Sequence, residues 1–306
     1  MLRFLSQRLL VLIPVLLGVS MLSFLLLYLI PGDVVDILMG QESGDPARLA
    51  EMRQLFGIDR PLAVRYAEWL GEVLRGDLGR SFVTRRPVLS EIMTAFPVTL
   101  QLTAASLFVA LAAGLPLGIL AAVRRGSASS IGTSLLVLLV LSIPSFWLGI
   151  LLIMLFAVQL RLLPTSGTGD WRHLILPGLT LASFILPQVT LLTRSSMLDV
   201  LNEQYIMAAR AKGLGEPAVM LHALKNAVHP VITYLGLQMG TLVGGSIITE
   251  TIFSWPGVGQ LTIQSIYNRD VVVVEAAVLV MALAIVLSNL LADVINAGLD
   301  PRIRIS

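Results

Sequence analysis

The sequence predicts an all-α, polytopic membrane protein with about six transmembrane helices, an external segment with short helices after the first span, and a two-helix cytosolic loop. Apolar residues make up 56% of the 306 residues and charged residues only 13%. Soluble domains carry about a quarter charged residues, so this composition fits a bilayer. Helical spans are expected because no stretch has the alternating pattern of a membrane barrel.

Six apolar segments are long enough to cross about 30 Å of hydrocarbon as helices. They are Leu9–Ile30, Val98–Val123, Ile131–Val158, Leu174–Thr193, Val231–Phe253 and Val271–Ile295. The first contains 22 residues. Because the apolar core of a signal peptide runs about 7–15 residues, we interpret this segment as an uncleaved span.

Prolines interrupt several of these segments, at Pro14, Pro116, Pro144 and Pro187. Membrane helices tolerate proline where neighbouring groups satisfy the freed backbone carbonyls. The prolines therefore indicate either tolerated kinks or bends that let the helices move.

Lysine and arginine predict the orientation. With the N-terminus inside, they are concentrated in the cytosolic segments, so both termini are expected in the cytoplasm. Arg85 and Arg86 would lie outside and oppose this bias, although long loops translocate largely regardless of charge. The predicted division is a cytosolic N-terminus and first helix (1–30), an external, periplasmic segment (31–97), a membrane core (98–295) and a cytosolic tail (296–306).

The external segment contains two amphipathic patterns. Apolar residues at helical spacing mark a first helix over 49–56, ended by Gly57, and a second over 62–74, started by Pro61 and ended by Gly76. Two such helices are too few to bury a core of their own. They form either a structural cap on the membrane domain or part of a landing surface for an external partner.

The segment 200–230 is a polar island between apolar runs, and it holds both lysines of the chain, Lys212 and Lys225. Alanine-rich sequence before residue 212 favours helix, and Gly213 favours a left-handed stop. The island therefore predicts a short helix that ends at Gly213.

A second short helix is predicted to follow this break. Glu216 and Pro217 suit a new first turn, and Asn226 and Pro230 are expected to close the helix. A loop with two short helices is a surface suited to docking.

Several chemistries have no support in the sequence. There is no G-x-x-x-x-G-K-[ST] loop for ATP, no HExxH motif, no nucleophile elbow and no cysteine. His173, His222 and His229 are too scattered to indicate a metal site. The formal charge of +2 gives no indication of nucleic-acid binding. We therefore expect a transport subunit rather than an enzyme, with no cofactor.

Polar residues in the fifth span are candidates for a translocation path. Gln238, Thr241 and Ser246 lie along it, although small polar residues also pack helices together. Glu250 closes an apolar run, where a charge is costly, so it has a structural or gating role or contacts substrate. The aromatic turn 253–259 that follows predicts a helix end at the membrane surface.

The island resembles the cytosolic EAA loop of ABC-importer permeases, in which an alanine-rich helix, a glycine and a second short helix contact an ATPase subunit. The matching positions are Ala208, Ala209, Gly213, Asn226, Ala227 and Pro230. The resemblance implies that these residues, with Arg210 and Lys212, form the ATPase-coupling surface. Met207 and the pair Val228-His229 depart from the usual pattern without breaking the loop.

The resemblance extends over nearly the whole chain and favours the dipeptide, oligopeptide and nickel branch of this family of binding-protein-dependent transport inner membrane components. Its motifs include Pro31-Gly32-Asp33, Gly76-Asp77-Leu78-Gly79-Arg80-Ser81, the run from Glu250 to Gly259, and the tail Leu299–Arg304. The compact external segment is most similar to dipeptide- and glutathione-type permeases. Val34 stands where the family usually has proline.

The implied function is a permease subunit of an ATP-driven importer for short peptides, such as a dipeptide, an oligopeptide or glutathione, in the bacterial inner membrane. It would form half of the translocation path beside a second homologous subunit, as a heterodimer. Two cytosolic ATPase subunits would couple through 200–230, and a periplasmic or lipid-anchored binding protein would deliver substrate. The alternatives are a nickel-importing permease and, in a different class, a stand-alone channel or secondary carrier, which would require more acidic residues in the spans.

Overall fold

The computed structural model describes residues 2–29 and 60–299. In that part of the chain the regular secondary structure is helical, apart from one isolated antiparallel bridge between Arg80 and Pro87. This confirms the predicted all-α fold class. The predicted first external helix, over 49–56, lies outside the described residues, and so does most of the tail 296–306.

Twelve α-helices follow one another along the described residues, and a π-helical segment at Ile153–Gln159 extends the fifth. They are α1 (Leu2–Leu29), α2 (Leu62–Leu74), α3 (Val88–Val123), α4 (Ala128–Ser142), α5 (Ser145–Leu152), α6 (Arg172–Ala182), α7 (Leu186–Leu201), α8 (Gln204–Ala211), α9 (Glu216–Ala227), α10 (His229–Ile252), α11 (Val258–Tyr267) and α12 (Val271–Leu299). Each predicted span overlaps one or more of these helices, and the end of the first span, Ile30, lies outside the described residues. Helix α11 was not expected from the sequence.

Three helices in the described part are long and apolar enough to cross a membrane: α3, α10 and the part of α12 over Val271–Ile295. The count rises to five if each of two bent helix pairs is one span. Helix α1 contains a shorter apolar stretch at Leu10–Leu25. The fold is therefore that of a polytopic membrane protein.

The two bent pairs are the third and fourth predicted spans. Helix α4 and the helix that begins at Ser145 meet at 102°, and Pro144 stands at the N-cap of α5. Helices α6 and α7 meet at 61°, with Pro187 in the first turn of α7. Pro116, by contrast, lies within the continuous helix α3. A proline in the sequence thus does not by itself predict where a span breaks.

One compact unit comprises, among the described residues, 98–256 and 285–299. Its main described core contains Leu102, Leu181, Ile185, Leu242 and Trp255, all buried. The helices of this unit approach one another closely at glycines. A Cβ atom at Gly236 would lie 2.7 Å from the Cβ atom of Ala292, and one at Gly240 would lie 2.9 Å from Ile285 Cγ2. Such small-residue contacts bring membrane helices together where lipid gives no hydrophobic drive for association.

A further close contact joins α3 to α7 in the same unit. A Cβ atom at Gly118 would lie 2.5 Å from Thr193 Cβ and 2.7 Å from the carbonyl oxygen of Thr190. The second of these atoms belongs to the backbone, which cannot rotate away as a side chain can. The contact therefore requires glycine.

The second compact unit comprises, among the described residues, 2–29, 60–97 and 257–284. In it α1 packs on α2 through aromatic rings: the ring centroid of Phe24 lies 5.5 Å from those of Tyr66 and Trp69. The hydroxyl groups of Ser20 and Tyr66 are 2.7 Å apart. The start of α3 packs on the start of α12 through buried residues, which are Val88, Ile92, Val273 and Ala276.

The predicted second external helix is confirmed as α2. Its last turn is closed by Gly76 in the left-handed region, with φ 83°. Gly76 donates its N–H to Val73 O at 2.9 Å, and the Asp77 N–H donates to Glu72 O at 3.0 Å. This is the double hydrogen-bond pattern with which glycine ends a helix.

We predict that Gly118→Ala destabilises the protein by about 1–3 kcal/mol, because the new methyl group overpacks a backbone contact. Thermal unfolding of the purified protein in detergent measures the effect. Gly132→Ala is the matched control, since Gly132 lies in α4 and no atom lies within 4 Å of the position that its Cβ atom would take. Equal melting temperatures for the two variants would contradict the role of Gly118.

Candidate functional site

The polar island folds as two short helices, α8 and α9, as predicted. Between them Gly213 adopts φ 83°. The Gly213 N–H donates to Arg210 O at 2.9 Å, and the Leu214 N–H donates to Ala209 O at 3.2 Å. No atom lies within 4 Å of the position that a Cβ atom on Gly213 would take. The backbone conformation, and not the lack of space, is therefore what favours glycine at this position.

Two side-chain contacts fix α8 against α9 across this break. Arg210 Nε lies 3.0 Å from Glu216 Oε1, and Asn226 Nδ2 donates to the Tyr205 hydroxyl at 2.7 Å. Both members of the ion pair are exposed, so its contribution to stability is about 0–1 kcal/mol. Arg210 and Asn226 therefore hold the two helices together within the chain itself.

The inner side of the island packs on the membrane helices. Ile206 of α8 and Val219 and Ala223 of α9 are fully buried, and they form one cluster with Met197 of α7 and Ala122 of α3. The island is thus seated on two helices of the membrane core. Its position is set by apolar packing and not by its charges.

The outer side of the island is exposed and largely apolar. Met207 is 54% exposed and Leu221 58% exposed, and Ala208, Lys212 and Leu214 are exposed beside them. We call this outer side the coupling surface, and its described residues are Met207, Ala208, Ala211, Lys212, Gly213, Leu214 and Leu221. An exposed apolar surface of this kind, next to cationic groups, is typical of a protein-binding site.

The structure places the predicted coupling residues in two groups. Ala208, Ala209, Arg210, Lys212 and Gly213 lie together on the last turn of α8 and its stop. Asn226 lies at the end of α9, beside Tyr205 of α8. Pro230 is separate from both groups.

The expectation that Pro230 closes the second helix needs correction. Helix α9 ends at Ala227, and α10 begins at His229 with Pro230 in its first turn. The single residue between them, Val228, is itself helical, with φ −78° and ψ −19°. Proline at the start of a helix forfeits no intrahelical hydrogen bond, so Pro230 opens α10.

The four translocation-path candidates do not share one face of α10. Ser246 and Glu250 are fully buried, Gln238 is half-buried and Thr241 is exposed. Thr241 and Glu250 are nine positions apart. At about 100° per residue, they therefore point to opposite sides of the helix.

Glu250 is held by hydroxyl groups inside the first unit. Its Oε1 accepts a hydrogen bond from Thr99 Oγ1 at 2.7 Å and another from Ser246 Oγ at 3.0 Å. Thr99, from α3, is also fully buried. These bonds stabilise a polar group that would otherwise be costly in an apolar interior.

The helix end predicted at the aromatic turn is confirmed, since α10 ends at Ile252, but the tryptophan of the turn is buried. Trp255 is only 2% exposed and belongs to the core of the first unit. Its Nε1 donates to Val98 O at 2.9 Å, and its backbone N–H donates to Glu250 O at 2.8 Å. Sequence reasoning missed Thr99 as the partner of Glu250, because spacing carries no signal for a contact between residues 151 positions apart.

In the described residues no cluster of metal-ligating side chains occurs. The arrangement is instead a set of membrane helices that supports an exposed segment of two short helices with a break at Gly213. Such an arrangement defines the membrane subunit of an ABC importer, a transporter whose energy comes from a separate ATPase. Comparison with known proteins agrees with this class.

The chain belongs to the family described as "Binding-protein-dependent transport system inner membrane component", which it matches over residues 114–305. Residues 1–103 match the corresponding N-terminal family. The predicted family resemblance is therefore confirmed, and with it the expectation of a transport subunit rather than an enzyme.

Relatives that match over the full length of the chain are also transport system permease proteins. The chain is 45% identical over 306 residues to the glutathione transport system permease protein GsiC of Salmonella choleraesuis, with 99% of each chain covered. It is 41% identical to the di/tripeptide transport system permease protein DppB of Pseudomonas aeruginosa, again with 99% of each covered. The dipeptide transport system permease protein DppB of Escherichia coli K12 is 40% identical, with the same coverage.

A solved structure of the inward-facing MetNI methionine ABC transporter contains a chain of similar fold. The TM-score is 0.57 at 22% identity, and the match covers 69% of this chain and 96% of that chain. This likeness supports the fold class. The chain is thus an inner membrane component of an ABC importer, a class that works with ATPase and binding proteins.

We predict that Glu250→Ala lowers the free energy of unfolding by about 1–3 kcal/mol, because the buried hydroxyl of Thr99 loses its acceptor. Glu250→Gln, which keeps one acceptor oxygen, should lose less. Thermal unfolding in detergent compares both with Thr251→Ala, whose hydroxyl is exposed and bonds only within its own helix. Indistinguishable melting temperatures for all three variants would show that the Glu250 contacts are not structural.

Proposed function

We propose that this chain forms half of the translocation path of an ATP-driven importer for short peptides. The cargo proposal rests on the relatives, whose names specify dipeptide, di/tripeptide and glutathione transport. The other half of the path is a second homologous permease subunit, in a heterodimer. Two cytosolic ATPase subunits bind the coupling surface, and a periplasmic or lipid-anchored binding protein delivers the substrate.

The observation that carries the proposal is that the segment 200–230 has one buried side and one exposed side. Its inner side is buried against α3 and α7, whereas its outer side is exposed and apolar around Gly213. A partner that contacts the outer side therefore acts directly on helices of the membrane core. Arg210 is engaged by Glu216, which leaves Lys212 and Lys225 as the exposed cations for acidic groups of an ATPase.

The proposed orientation places this segment, both termini and the tail 296–306 in the cytoplasm. It follows from the concentration of lysine and arginine in those segments. The segment 31–97 is then external, and 98–295 forms the permease core. The exposed residues 85–86 remain on the external side, where the positive-inside rule disfavours them.

For the translocation path, Thr241 is favoured by its exposure on α10, together with the half-buried Gln238. The exposed face of α10 continues through polar, small and apolar residues on both sides of Thr241, which are Thr233, Leu237, Gly245 and Ile248. Glu250 and Ser246 act from the opposite side of the helix, where their burial favours a gating or structural role.

Reconstitution tests the proposal as a whole. Proteoliposomes that contain this chain, its sister permease and both ATPase subunits should accumulate labelled dipeptide or glutathione only with the binding protein and ATP. Uptake of nickel, without uptake of dipeptide or glutathione, would indicate the metal-importing alternative. Flux without any ATPase subunit would indicate a channel or secondary carrier and would overturn the proposal.

Gly213→Asp should leave the protein in the membrane but uncouple transport from ATP hydrolysis. We expect ATP-driven uptake to fall by about tenfold or more, as for a loss of roughly 1.4 kcal/mol of docking free energy. The added carboxylate lies on the exposed coupling surface and repels acidic groups of the ATPase, and the residue must keep a left-handed conformation. Parallel assays of uptake and ATP hydrolysis measure the coupling.

The matched control is Gly215→Asp. Gly215 lies two residues further on, with an ordinary φ of −67°, and it is the N-cap of α9, where aspartate is a preferred residue. This variant introduces the same charge without backbone strain and should keep most of the uptake. Normal import by the Gly213→Asp variant would contradict the proposal that Gly213 belongs to the surface that contacts the ATPase.

A further inference from the structure

A buried carboxylate joins two distant stretches of the second unit. Asp270, only 3% exposed, accepts a hydrogen bond from the hydroxyl of Ser81, which is 1% exposed. The same carboxylate accepts the N–H groups of Phe82 at 3.2 Å and Val83 at 3.3 Å. Asp270 thereby fixes the loop before α3 to the residues just before α12.

The loop itself is closed on its own backbone. The Ser81 N–H donates to Arg86 O at 3.0 Å, and the Arg85 N–H donates to Ser81 O at 3.1 Å. The isolated bridge between Arg80 and Pro87 lies beside these bonds. The loop therefore presents three arginines. Arg269 joins this group because it directly precedes Asp270, which contacts the loop. We call Arg80, Arg85, Arg86 and Arg269 the arginine surface.

All four side chains of the arginine surface are exposed. Within the described residues, none of the four takes part in an ion pair. The nearby carboxylates bond to neutral donors instead: Asp77 accepts the Gly79 N–H at 2.9 Å, and Glu91 accepts the Thr84 hydroxyl at 2.5 Å. The cationic groups thus remain available to a partner.

Two of these arginines have strained backbones. Arg85 has φ 61° and Arg269 has φ 56°, in the left-handed region that residues with a side chain rarely adopt. Each costs about 1–2 kcal/mol and persists only because the surrounding structure holds it.

Large apolar side chains surround the arginine surface. Val83 is 54% exposed and Ile266 is 52% exposed, while Tyr267, two residues before Arg269, is 83% exposed. Tyrosine and arginine are among the residue types most enriched at the energetic centres of protein interfaces. The composition of this surface therefore fits a protein partner.

We propose that the arginine surface docks an acidic face of the external binding protein, an inference that rests on the proposed function. A protein is favoured over lipid headgroups by the length of α3, whose N-terminal end follows the loop. Its 36 residues span about 54 Å, about 24 Å more than the hydrocarbon core. Divided between the two ends of the helix, that excess is about 12 Å at each end, which is still more than a headgroup layer of roughly 5–8 Å, so the loop stands beyond the lipid surface.

The complete transporter in nanodiscs tests the proposal, with the purified binding protein of this importer as the probe. We expect the triple variant Arg85→Glu, Arg86→Glu, Arg269→Glu to weaken binding by about a hundredfold at low salt, since like charges are costly across an interface. Wild-type affinity should also fall as salt rises, whereas the variant should respond less. Lysine at the same three positions keeps the charge and should restore most of the affinity.

Arg161→Glu is the matched control, because Arg161 is likewise exposed and has a left-handed φ of 52°. It should bind the probe as the wild type does. Unchanged affinity of the triple variant, with normal peptide uptake, would overturn the docking inference alone. Normal affinity together with a lost dependence of uptake on anionic phosphatidylglycerol would make the surface a lipid site and also overturn it. A wild-type transporter that fails to import peptide at all would remove the proposed function, and the docking inference with it.

Discussion

Close backbone contact at glycine is the constraint on which the first unit depends. Inside a membrane, apolar side chains gain little by leaving lipid, so helices associate through close packing. At Gly118, α3 approaches the backbone of α7 near Thr190 and Thr193. One turn further along α7, Met197 packs in one buried cluster with Val219 and Ala223 of the segment 200–230. A contact between two membrane helices therefore determines where a cytosolic ATPase subunit would meet the chain.

The features of the fold that depend only on neighbouring residues could be predicted from the sequence. Gly76 and Gly213 end helices α2 and α8 because each needs only its own left-handed conformation and neighbouring backbone groups. Apolar length likewise located the spans. The 102° turn before Ser145 could not be predicted, because Pro144 and Pro116 look alike in sequence while only the first stands at a break.

The candidate site could likewise be predicted only where it depends on residues that are close together in the sequence. The candidate coupling residues around Gly213 are contiguous, so the pattern of one short segment was enough to predict the two helices that carry them. The bond from Thr99 to Glu250 could not be found in this way, because it forms through tertiary packing. The burial of Trp255 could not be predicted for the same reason, because its hydrogen-bond partner, the carbonyl of Val98, lies 157 positions away in the chain.

The two ends of α9 differ in a way that matters for energy transfer. At its start, Gly213 forms a break with no side chain packed against it. At its end, Val228 is helical, and hydrogen bonds continue through it from Val228 N to Leu224 O and from Ile232 N to Val228 O, both at 3.0 Å. If an ATPase displaces α9, the break at Gly213 could absorb the displacement, whereas the continuous hydrogen bonds at the other end would pass it on to α10. Because α10 carries Thr241 on one side and Glu250 on the other, a rotation of this helix would move the exposed face and strain the buried hydrogen bonds at the same time.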